Sequence, residues 1–134
     1  MLLLRKTVFL LSLVLTCGAQ ADELGSLVRQ YNTALKKVTG PINKRTNLVA
    51  IHVGPVLDKI SALSTVGSER WLAAELENSG TSPQARSAIP QALLDGATAN
   101  AVKLVISGLG RRPPAVQEAS LRALQFNESS LEVD

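Results

Sequence analysis

His52 is the single histidine of this 134-residue chain, and Cys17 is its single cysteine. A zinc or copper site needs several His or Cys ligands close together, so no metal is expected. A Ser-His-Asp arrangement would need a marked nucleophile, and no Gly-x-Ser-x-Gly elbow occurs. His52 falls at the end of an expected helix, where an imidazole meets the last carbonyls favourably, so its reading is structural. Glu75 and Glu77 are two apart, which places them on different helix faces and prevents a general acid/base dyad. Gly108-Leu109-Gly110 follows an expected helix and lacks a following Gly-Lys-Ser/Thr. It reads as a helix C-cap, not a phosphate loop. These residues argue for a protein that is not an enzyme and carries no cofactor.

The remaining chemistry is that of binding. Lys36, Lys37, Lys44 and Arg45 cluster around one turn, and Arg111 and Arg112 precede Pro113. Such charges either sit in solvent at helix C-termini or contact acidic surfaces and anionic lipid headgroups. No aromatic residues interleave with them, so nucleic acid is not an expected partner. Trp71 lies beside Arg70, and both residue types are enriched at binding hot spots. The competing reading of Trp71 is that it fills the core.

The elements that must hold these residues are helices. Hydrophobic residues make up 46% of the chain but aromatics only 3%, so the core must be Leu, Val, Ile and Ala. That composition suits packed helices better than a β-sandwich. Leu24, Leu27, Val28, Tyr31, Leu35 and Val38 trace one face of a helix over 22–38. Thr39-Gly40-Pro41 ends it, with Gly40 suited to a left-handed position. Gly54-Pro55, Gly67, Ser82-Pro83, Gly96 and Pro113-Pro114 then punctuate the chain. Helices are expected near 42–53, 56–66, 68–79, 83–94, 98–109 and 114–126, at lengths common for short helices. Pro83 and Pro114 fall at helix starts, where a missing N–H is harmless. Pro90 should kink its helix.

The first 21 residues have a different purpose. Arg5 and Lys6 precede an apolar run from Thr7 to Thr16, and Ala19-Gln20-Ala21 is a small-x-small cleavage site before Asp22. This is the pattern of a secretory signal peptide, with an apolar run too short to span a membrane. Export to a periplasm or the medium is expected. Lipid attachment at Cys17 is the alternative, although Thr16 fits poorly before a lipidated cysteine. Cleavage after Ala21 leaves 113 residues and removes Arg5, Lys6 and Cys17. The 14 basic residues become 12 against 11 acidic, a balance of +1, which weakens any case for polyanion binding. The mature chain would have no disulfide, and its stability would rest on burial. Asn127-Glu128-Ser129 is a glycosylation sequon that matters only in a eukaryotic secretory pathway.

An internal repeat organises the rest. A shift of 31 places Pro83 on Pro114, Ala85 on Val116, Ala88 on Ala119, Ala92 on Ala123 and Leu93 on Leu124. Ala62-Leu63 lies 30 residues before Ala92-Leu93, and Leu72, Leu76 and Gly80 align at 30 with Val102, Ile106 and Gly110. Small residues at fixed places let paired helices approach, and one pair cannot bury its apolar face alone, so pairs stack. The pattern Pro-x-Val/Ala-x-x-Ala-x-x-x-Ala-Leu, followed by a second apolar helix, resembles the short bacterial HEAT-type repeat related to phycobilisome-lyase repeats. Residues 82–110 are the best copy, 111–126 a first half and 53–80 a weaker copy, with Asp58 in the slot of Ala88 and Ala119.

The resemblance implies an all-α, right-handed α-solenoid of about three stacked helix pairs. Residues 22–52 would cap it, 53–126 would form the repeats and 127–134 a polar tail. It also implies macromolecular binding without catalytic residues, through an inner face formed by the second helices. Arg70, Trp71 and Lys103 fall on those helices, and with Arg111 and Arg112 they are the expected contact residues. The expected function is an exported, monomeric protein-interaction module with an unidentified protein partner. The alternatives are a small exported enzyme or lyase-like protein using groove carboxylates, and a structural envelope component.

Overall fold

The computed structural model describes the backbone of residues 22–133 and side chains through Asn127. The expected signal peptide, including Cys17, Ala19 and Ala21, lies outside the described residues, and Asp22 is the first of them. The described chain is all-helical, without strands. It forms α1 (22–35), α2 (Ile42–Leu48), a π-helical segment (Val49–Val53), α3 (Gly54–Ala62), α4 (Val66–Leu76), α5 (Pro83–Arg86), α6 (Ile89–Asp95), α7 (Ala101–Ser107), a 3-10 turn (Leu109–Arg111) and α8 (Pro114–Val133). None of the described helices is long and apolar enough to cross a membrane.

Helix α1 buries Leu27, Tyr31 and Ala34, on the face marked by its apolar spacing. Gly40 takes φ +97°, the left-handed position expected of it. The expected break at Gly54-Pro55 is absent. The chain stays helical from Ile42 to Ala62, with the π segment in its middle. Pro55 has no N–H and crowds the preceding turn. The wider π turn absorbs this conflict, and Gly54 N–H reaches back five residues to Val49 C=O. His52 therefore lies inside a helical run and not at its end.

Helix α4 starts with a capping box, in which Thr65 and Ser68 exchange backbone and side-chain hydrogen bonds. Ser82 caps α5, with Pro83 in its first turn. The expected helix over 83–94 divides at Ser87-Ala88, so Pro90 enters the first turn of α6, where its missing N–H costs nothing. Helix α8 continues past 126 to Val133.

Helix α6 is the centre of the molecule. Ile89, Pro90, Ala92, Leu93 and Leu94 are all buried, and α3, α4, α7 and α8 pack around them. Ser61 donates to the carbonyl of Ala92 at 2.6 Å, tying α3 to α6. Some repeat-matched residues of the first helices have matched burial: Ala85 and Val116 are sealed, as are Ala92 and Ala123, whereas Leu93 is buried and Leu124 only partly so. The second helices depart from the alignment. Leu72 and Leu76 are buried in α4, whereas Val102 and Ile106 are exposed and α7 buries Ala101 and Val105. The shift is one residue, about 100° of helix rotation, so α7 turns a different face to the core than the sequence alignment predicts.

Candidate functional site

The C-terminal end of α4 organises the polar residues. Glu75 points toward α1. Its Oε1 accepts from the Tyr31 hydroxyl at 3.0 Å and from the Thr81 hydroxyl, and Asn78 Nδ2 approaches Oε2 at 3.5 Å. Burial, the charge of Glu75 and the hydrogen bond to it hold the Tyr31 hydroxyl far above the ordinary tyrosine range. Trp71 packs edge-on against Tyr31, with ring centroids 4.8 Å apart and planes at 86°. Trp71 is partly buried against the core.

Glu77 points the other way, toward α8. Its Oε1 accepts from Arg112 Nε at 2.7 Å. The Arg112 side chain is fully buried, although Glu77 is 41% exposed. Arg112 also donates to Leu104 C=O at 3.1 Å, to Val105 C=O, and to Ser120 Oγ at 3.2 Å. One guanidinium thus joins α4, the end of α7 and α8. Adjacent Arg111 is exposed. Gly108 is the C-cap of α7, but its φ is −106°, so it is not there for a left-handed turn. A Cβ at Gly108 would lie 2.7 Å from both Glu77 oxygens. The glycine makes room for the ion pair.

Arg70 and Lys103 meet in one groove between α4 and α7. It has a volume of about 420 Å³ and is lined also by Glu69, Ala73, Asn100, Leu104 and Ser107. Both cations are exposed, and neither forms an ion pair among the described residues. Val102 and Ile106, exposed at 42% and 53%, occupy the adjoining strip of α7. Trp71 does not line this groove; it belongs to the Tyr31 contact. Arg111 and Arg112 line a separate cavity with Glu77, Ser79, Arg86 and Pro113. His52 lines a third depression, beside Arg29 and Thr33 of α1 and Lys37 just after it. The five expected contact residues therefore divide into Arg70 with Lys103, Arg111 with Arg112, and Trp71 alone.

Sequence reasoning missed Arg86, which is 94% buried by its 6% relative exposure. Its repeat equivalent is Gln117, so periodicity carried no signal for it. Comparison with known proteins yields no match to this chain among family models, curated proteins or solved structures.

Proposed function

We propose that this chain is an exported, non-catalytic interaction module of HEAT-like stacked helix pairs, which binds an acidic, partly apolar segment of a partner protein across the α4–α7 groove. The observation that carries this reading is the meeting of Arg70 and Lys103 in one groove, unpaired and beside exposed Val102 and Ile106. Cations steer an acidic partner toward the groove, and the apolar strip gives the contact something to bury. The packing order supports stacked pairs: α3, α6 and α8 are successive neighbours, and α4 and α7 touch beside them. A non-catalytic role is supported by Glu75 and Glu77, whose carboxylates are engaged by the fold's own donors. Export is supported by the sequence pattern of residues 1–21.

Affinity capture from the native envelope and secreted fractions, with residues 22–134 as bait, tests the proposal. An Arg70→Glu, Lys103→Glu bait of equal helicity by circular dichroism is the comparison. A protein retained by the wild type and lost by the double variant is expected. Equal retention by both baits would sink the groove assignment. Failure of the folded wild type to retain any protein would sink the interaction role.

A further inference from the structure

The arginine cavity between α4, α5 and the turn before α8 has properties that the α4–α7 groove lacks. Its volume is about 610 Å³, and its lining holds Arg86, Arg111 and Arg112 against one carboxylate, Glu77. The surplus is two positive charges. Glu77 is already taken by Arg112. Arg86 is left over: it forms no ion pair among the described residues. Its Nε donates to Leu76 C=O, the last carbonyl of α4, at 2.9 Å. No described protein atom accepts from its two terminal amino groups, and neither is a sealed, unpartnered atom. The open end of the guanidinium fork therefore borders the cavity.

A guanidinium does not lose its proton in a protein, so Arg86 cannot relieve its burial by becoming neutral. One backbone carbonyl compensates little of its charge, so water or an anion must meet the open end of the fork. Two parallel N–H groups match an oxyanion in a bidentate contact. Arg111 stands exposed at the rim, and Ser79 adds a hydroxyl. We propose that this cavity binds a phosphate monoester group, held by the Arg86 fork from below and by Arg111 from the rim. The doubly charged phosphate matches the surplus of two, which a singly charged carboxylate does not. Arg112 shapes the floor and keeps its bond to Glu77.

The test is titration of the folded protein with inorganic phosphate at constant ionic strength, read by calorimetry and by the arginine Nε–H resonances in NMR. Saturable binding is expected, with shifts at Arg86 and Arg111 and none at Arg122. Acetate should bind more weakly. Arg111→Gln alters an exposed residue and should leave folding intact while weakening phosphate about tenfold, the loss of one charged hydrogen bond. Arg86→Lys keeps the charge but removes the fork, and should weaken binding by a similar factor if it folds. Vesicles of phosphatidylcholine with phosphatidic acid distinguish the source. Binding to them, lost in Arg111→Gln, points to a lipid headgroup; phosphate binding without vesicle binding points to a soluble phosphate. Absence of saturation by phosphate, or an affinity unchanged in Arg111→Gln, would overturn the proposal.

Discussion

Glu75 and Glu77 stand two residues apart at the C-terminal end of α4, and the molecule neutralises them in different ways. Both carboxylates lie at the negative end of the helix dipole, so both need compensation. On the α1 side, Glu75 receives uncharged donors: Tyr31, Thr81 and Asn78. On the α8 side, Glu77 receives the buried guanidinium of Arg112. Neutral donors can be removed one at a time, because each leaves the others in place. Arg112 cannot, because it also satisfies Leu104 C=O, Val105 C=O and Ser120. The α8 side should therefore be brittle and the α1 side graded.

Arg112→Met probes the brittle side most strongly. It keeps apolar volume but strips Glu77 and two carbonyls of their donor. Glu77 is 41% exposed, so water can replace the guanidinium there, but the two carbonyls lose their donor at about 1–3 kcal/mol each, and a loss of about 2–4 kcal/mol is expected. Urea denaturation followed by the fluorescence of Trp71, the only tryptophan, measures it. A loss below about 1 kcal/mol would place Arg112 among ordinary surface residues and break the comparison.

Gly108→Ala acts on the same ion pair from outside it. Alanine tolerates the backbone of Gly108, so the obstacle is the clash with the Glu77 carboxylate, whose atoms lie nearest the added Cβ. Moving that carboxylate weakens its bond to Arg112, and a loss of about 1–2 kcal/mol is expected, within the range for charged hydrogen bonds. The sign should reverse when Glu77 is already alanine. The obstacle is then gone, and replacing glycine restricts the unfolded chain, a gain of about 0.4–1 kcal/mol. A double-mutant cycle measures the coupling. Additive effects would show that Gly108 and Glu77 are independent.

These contacts mark the limit of what the sequence reveals. Local signals were legible where one residue type has one strong conformational preference. Gly40 in its left-handed position, the Ser82-Pro83 start and the apolar face through Leu27 and Tyr31 all follow from such preferences. The outcome at Pro55 is not legible because a proline can also be absorbed by a π turn, here one that buries Val49 and Val53. The α7 face was misread because Val102 and Ile106 are as apolar as the buried Val105, and tertiary contacts choose between faces 100° apart. Arg111 and Arg112 look alike in sequence. One is exposed and the other sealed, because the turn before Pro113 aims them differently. The cavity around Arg86 depends on residues up to 36 positions apart, from Glu77 to Pro113, and no local pattern joins them.

Tyr31 gives the mildest test, on the graded side. Tyr31→Phe keeps the ring against Trp71 and removes only the hydroxyl. Glu75 retains Thr81 and Asn78, so the loss should be about 1 kcal/mol near neutral pH. The effect of pH has a definite sign. Folding raises the Tyr31 value above that of the unfolded chain, mainly by burial and then through Glu75. Below about pH 10 the phenol is neutral in both states, and the stabilisation is fully present. Above about pH 10 the unfolded chain releases its proton first, so stability falls as pH rises. Tyr31 is the only tyrosine, so tyrosinate absorbance reports this residue alone. The folded protein should show little of it at about pH 11, and urea should release it. Lysine deprotonation at that pH affects wild type and Tyr31→Phe alike, so the comparison isolates the phenol. Between about pH 8 and 11 the wild type should lose more stability than Tyr31→Phe. Equal losses, or tyrosinate appearing near pH 10 in the folded protein, would mean that Glu75 is not held by a buried neutral donor.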